Sequence, residues 1–174
     1  MRPFERQPDG SVALRLRSVE VQAIERLAKD MVDELGVPDD PGLVRLFPPA
    51  YPDDITYEHD YREMTRDDLE RQKVAACQAV IRSIRGGMER RGRFTATLDP
   101  DTVRAWLGVM NDARLVLGTR LEITEDSYGL PLPPGHPQAD LFNLYMYLGA
   151  LEDALVQELL GEFGEVADPD DAMG

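Results

Sequence analysis

The stretch from Pro100 to Leu121 limits the fold most, because it reads as a helix that is apolar over most of its circumference. Asp99-Pro100 opens it with a side-chain cap and then a proline at the first helical position, where a missing N–H costs nothing. Such a helix needs neighbours on most sides, so the domain has to be built around it. With 174 residues the chain can bury a core without disulfide or metal staples. One domain is expected over residues 1–162, followed by an acidic tail at 163–174 that frays.

The elements around that helix are marked by their periodicity. Phe4–Arg6 and Val12–Arg17 flank the turn Gln7-Pro8-Asp9-Gly10-Ser11, and the second arm alternates apolar and polar residues, as a half-buried strand does. Ser18 is the expected cap of a first helix running to Leu35, with Val21, Ile24, Leu27, Ala28, Met31 and Leu35 as its core stripe. Residues 37–61 are rich in proline and acids and read as a long connection anchored by Leu43, Val44, Leu46 and Phe47. A second helix is expected after Thr65, whose spacing to Asp68 resembles a capping box, and it stops at Gly86-Gly87. Its face of Leu69, Ala76, Val80 and Ile84, with Cys77 at the edge, opposes Arg71, Gln78, Arg82 and Arg85. The alternating run Phe94–Leu98 fits a third strand. A fourth helix from Pro137 to Leu160 carries Leu141, Leu144, Leu148, Leu151, Leu155 and Leu159 in one stripe. The fold class is therefore mainly α: a four-helix core with a small antiparallel sheet, made of the N-terminal hairpin and a short strand near 93–98.

The net charge of −14 is unevenly placed. Up to Arg120 there are 19 basic and 21 acidic residues; beyond it there are 12 acids and no Lys or Arg. Overall acidity argues against a protein that coats DNA, since phosphate neutralisation needs cations, but it leaves room for a local basic surface. Arg82, Arg85, Arg90, Arg91 and Arg93 stand against Glu89 alone, a balance of +4 in twelve residues. They form either a solvated helix face with a basic turn or a contact site for DNA phosphates or an acidic protein face. No apolar run reaches the roughly 18 residues that span a bilayer, and Met1–Arg6 has no apolar segment of a signal peptide. A cytosolic location without membrane contact is expected.

Two charges fall inside apolar stripes: Arg114 on the third helix and Glu152 on the fourth. An isolated buried charge is very costly, so the two are expected to pair, directly or through Asn111, as a buried structural bridge. The lone Cys77 cannot form an internal disulfide or a thiolate cage, and His59 and His136 lie in no ligand-spaced motif. Asp53-Asp54 and Asp67-Asp68 read as solvated acids rather than an ion cage. Phosphate loops, nucleophile elbows and zinc-protease motifs are all missing. No catalytic residues, metal or cofactor are expected, and the chain reads as a non-enzyme.

The run Trp106-Leu107-Gly108-Val109-Met110-Asn111-Asp112-Ala113-Arg114-Leu115-Val116-Leu117-Gly118-Thr119-Arg120-Leu121 resembles the signature of the actinobacterial domain of unknown function 2017 family. The helix with Leu144-Tyr145 and Leu148 to Leu159 fits the family's C-terminal half. The resemblance implies a redox-responsive transcription regulator whose partner is an extracytoplasmic-function sigma factor or RNA polymerase, with DNA contact as a further option. It also brings two other roles into view: an accessory protein linked to Clp proteolysis, since family members are encoded beside a Clp adaptor, and a small-ligand binder. The disulfide switch that the family implies, C-x-x-x-C, has no counterpart here. Lys73 and Ile81 occupy the positions four residues either side of Cys77, so either redox sensing is lost and Cys77 is inert packing, the favoured reading, or Cys77 acts as a redox candidate through an intermolecular bond or a small-thiol adduct. Oligomeric state is not fixed by the sequence.

Overall fold

The computed structural model describes residues 1–37, 40–127 and 130–161; the acidic tail from 163 lies outside them. Strands β1 (Phe4–Arg6) and β2 (Val12–Arg17) form the expected hairpin, and helix α1 follows over Ser18–Leu35. A short 3₁₀ helix spans Pro41–Leu46. Helix α2 spans Ile55–Arg85, strands β3 (Met88–Arg90) and β4 (Arg93–Leu98) follow, and helices α3 (Pro100–Arg120) and α4 (Ala139–Leu160) complete the order. The fold is mainly α with one small antiparallel sheet, of strand order β1-β2-β4-β3.

Helix α3 occupies the centre, packed against α2, α4, the 3₁₀ helix, α1 and β4. Trp106 is fully buried on it; its indole N–H donates to Ser83 Oγ at 3.0 Å, and its ring meets Phe4 edge-on at 6.5 Å. Phe4, Val12, Leu14, Leu16, Phe94 and Leu98 form the sheet's inner face and join the same core. The sheet thus closes one side of the bundle by burying alternate residues of β2 and β4, with Phe4 from β1.

Four expectations need correction. Ser18 is the first helical residue rather than the cap. Its backbone N–H donates to the Gly92 carbonyl at 3.0 Å, while Arg17 takes the cap position and its N–H donates to Glu20 Oε2 at 2.7 Å. Helix α2 begins ten residues before Thr65, capped by Asp54 Oδ1, which accepts from the amides of Thr56 and Tyr57. Residues 55–64 have no core stripe to betray a helix and are held by that cap and by pairs such as Glu58–Arg62 at 2.7 Å. A fourth strand, β3, was not anticipated; all three of its residues are exposed, so no burial pattern marks it. Val44 and Leu141 face solvent rather than the core, while Leu43, Leu46 and Phe47 anchor the connection as expected.

No helix among the described residues is long and apolar enough to cross a membrane. Trp106→Ala should lower stability by about 3–5 kcal/mol, the cost of an aromatic cavity at a fully packed position. Urea unfolding followed by circular dichroism measures this, since Trp106 is the only tryptophan.

Candidate partner-binding surface

The five arginines singled out by the sequence sit at one corner, where α2 ends and the β3–β4 hairpin begins, and all are exposed. Gly86-Gly87 stops α2, and Gly87 does more than end it. A Cβ there would lie 2.2 Å from the Phe94 ring, so only glycine lets the hairpin fold back this closely onto the helix end. The hairpin turns through Arg91 and Gly92, both at positive φ (51° and 75°).

Strand pairing sets Arg17 opposite Arg93, and Arg93 opposite Arg90. Three guanidinium groups therefore form a row across β2, β4 and β3 on the outer face, where like charges directly opposite one another are destabilising. Arg17 is matched by Glu20, whose Oε1 lies 2.7 Å from Nη2. Arg85 reaches Glu25 at 3.3 Å. Arg93 Nη1 donates to Met1 Sδ, at 3.4 Å. Arg82, Arg90 and Arg91 form no ion pair among the described residues.

Arg114 and Glu152 meet directly, Nη1 to Oε2 at 2.7 Å. The pair is half-buried rather than deep in the core, with side-chain exposures of 24% and 18%. Asn111 takes no part in it and faces solvent. Burial works against the charged guanidinium, but the Glu152 carboxylate outweighs it and holds the Arg114 pKa above its ordinary value. The guanidinium also lies 5.5 Å from the Tyr145 ring centroid and only 3.3 Å from where a side chain at Gly149 would begin. Gly149 is thus the opening in α4 through which Arg114 reaches its partner, and nothing in its helical context signals that role. A surface groove of about 480 Å³ between α1, α3 and α4 has Leu27, Met31, Val116, Leu117, Leu141 and Leu144 in its lining, and does not include Arg114, Asn111 or Glu152.

Cys77 is buried, 1% exposed. Burial first, and then the Asp112 carboxylate, push its thiol up to about 11, against a smaller opposing effect of Lys73. Lys73 and Asp112 grip each other through both carboxylate oxygens, at 2.9 and 3.0 Å, one turn from the thiol. A thiol so placed is a poor nucleophile and oxidant target. On the exposed first turns of α2, His59 lies 3.8 Å from Asp60 and 4.0 Å from Glu63. These three could each turn one donor atom toward a cation, all within 4.8 Å of one another. A search for paired histidines passes over this grouping, because it mixes one imidazole with two carboxylates.

A helical domain with an exposed arginine corner and a buried thiol is what the geometry defines. The model of the family described as domain of unknown function (DUF2017) matches residues 1–159, and the chain belongs to that family. The oxidative stress regulator AosR of Mycobacterium tuberculosis and that of Mycobacterium bovis are each 31% identical to it over 137 residues, 71% of this chain. The match spans 60% of the length of those relatives. A candidate oxidative stress regulator AosR of Mycobacterium leprae is 29% identical over 160 residues, covering 78% of this chain and 71% of its own. No solved structure matches.

Arg114→Met and Glu152→Met should each cost about 1–3 kcal/mol, less than a fully buried pair because water still reaches both groups. The double variant should cost less than the sum, as a double-mutant cycle in urea will show. Cys77 should resist alkylation at pH 8 in the native protein and react freely once unfolded. Because its folded pKa lies above the unfolded one, the thiol's contribution to stability is complete below about pH 9. It is then lost as the pH rises toward 11, which alkaline denaturation of Cys77→Ala against the parent will reveal.

Proposed function

We propose that this chain is a non-enzymatic regulator of the oxidative-stress response that acts by binding, its partner being the sigma factor–polymerase machinery of transcription. The regulator role is supported by family membership and by the names of relatives at about 30% identity. The observation that carries the binding surface is the row Arg17–Arg93–Arg90, extended by Arg91 and by Arg82 at the end of α2. Arg17 in that row is already matched by Glu20, but Arg93 and Arg90 face each other with no ion pair among the described residues, and guanidinium groups so placed gain stability when an anionic surface covers them.

An acidic helix of a protein partner and a DNA backbone both fit that chemistry. The protein partner is favoured, because the chain carries 33 acids against 19 bases and would repel a long stretch of duplex. Sensing does not run through an internal disulfide, since Cys77 is the only cysteine. The regulator would respond to its partner's state, or to the amount of partner present, rather than to oxidation of its own thiols.

The triple variant Arg90→Glu, Arg91→Glu, Arg93→Glu tests this. All three side chains are exposed, so the fold should survive. Binding to polymerase holoenzyme loaded with an extracytoplasmic-function sigma factor, measured by biolayer interferometry, should weaken at least tenfold. Unchanged binding would overturn the assignment. Duplex DNA binding whose affinity falls steeply with salt would replace protein by DNA as the occupant.

A further inference from the structure

Helix α2 presents to solvent an unbroken heptad stripe: Tyr57, Tyr61, Met64, Asp68, Arg71, Ala75, Gln78 and Arg82, with alternate spacings of four and three residues. Every one of the eight is exposed. The large ones are markedly so: Tyr57 is 66% exposed and Met64 80%. Such spacing is the pattern of a helix seam, and here the opposite side of α2 already packs on α1 and α3. Tyr51 stacks against Tyr57 and Tyr61 at 6.0 and 5.9 Å, which widens the aromatic end of the stripe.

Charge is divided along the same helix. Residues 55–70 hold six acids and two arginines; residues 71–85 hold three arginines and Lys73 with no acid. The two halves are thus −4 and +4. A second copy laid parallel would set like charge on like, whereas one laid antiparallel sets each half against its opposite.

We infer that α2 pairs antiparallel with α2 of a second copy of this chain, about a two-fold axis lying between residues 69 and 70. In that alignment Asp68 of each copy faces Arg71 of the other, and Met64 faces Ala75. Tyr61 faces Gln78, and Tyr57 faces Arg82, which brings a guanidinium onto an aromatic ring. All eight seam positions are covered. Sliding by one heptad in either direction leaves the tyrosines or Gln78 and Arg82 without a partner. The Asp68–Arg71 ion pair within each helix then becomes one half of an alternating four-charge cluster at the axis. The interface is isologous, as a closed dimer requires. It engages Arg82, which the partner-binding reading also uses, but none of Arg90, Arg91 and Arg93, so the triple variant at those three positions tests that reading apart from the dimer.

Sedimentation velocity on the full chain across a concentration range tests the inference. The parent should dimerise, more weakly as salt is raised. Asp68→Arg alone or Arg71→Asp alone should weaken association at least tenfold, because each puts like charges at the axis. Both sites are exposed, and unchanged thermal unfolding would show that the fold is intact. The swap Asp68→Arg with Arg71→Asp should restore dimerisation, and mixing the two single variants should yield a heterodimer. Mixed Met64→Cys and Ala75→Cys chains should form a disulfide across the seam under mild oxidation. A parent that stays monomeric at every concentration would overturn the proposal, as would single reversals that leave the dimer unchanged or faster linkage of Met64→Cys chains to each other.

Discussion

Three charged side chains on α3 tie this structure together. Asp112 holds Lys73 of α2, Arg114 holds Glu152 of α4, and Arg120 holds Glu34 of α1 at 2.9 Å with Asp40, the cap of the 3₁₀ helix, at 3.8 Å. Successive helical positions point about 100° apart, so three charges within nine residues can address three different neighbours. The apolar remainder of α3 supplies most of the favourable burial. The ion pairs, each partly buried and individually modest, bridge α3 to α2, α4 and α1. Small residues make room for two of them: Gly149 beside Arg114 and Gly42 beside Arg120.

That internal use of charge explains the surface by contrast. The family-like block on α3 is consumed in holding helices together, so the groups left to meet other molecules are those outside it. The corner at the hairpin and the outer face of α2 are both exposed and both electrostatically biased. One offers anions a row of guanidinium groups; the other carries equal and opposite charge on its two halves. Cys77 stands apart from both, shielded by burial and by a neighbouring ion pair.

How much was legible in the sequence varies with how much of each element is buried. Elements with a core face were readable: the first hairpin, α1, α3 and β4 lie almost where periodicity put them, because alternation or helical spacing reflects burial. The first ten residues of α2 and all of β3 bury no apolar side chain, leaving no core-facing period to read. Ser18 misled because its residue type suits a cap, while the tertiary bond from its N–H to Gly92 moved the cap to Arg17. The contact between Arg114 and Glu152 could be reasoned from two charges inside apolar stripes. Asn111 could not be placed by the same logic, as an uncharged amide is content in water. The cross-strand arginine row was invisible until pairing was known, since Arg17 and Arg93 are far apart along the chain.

The close approach at Gly87 has a consequence for how fast and how tightly the corner can bind. With the Phe94 ring filling the space a side chain would need, the hairpin has little freedom to swing relative to α2. Its backbone is already ordered before any encounter, so association gives up mainly side-chain rotamer freedom rather than loop entropy. Binding through such a preset scaffold should proceed without a slow conformational step, its rate governed by long-range attraction and therefore by ionic strength.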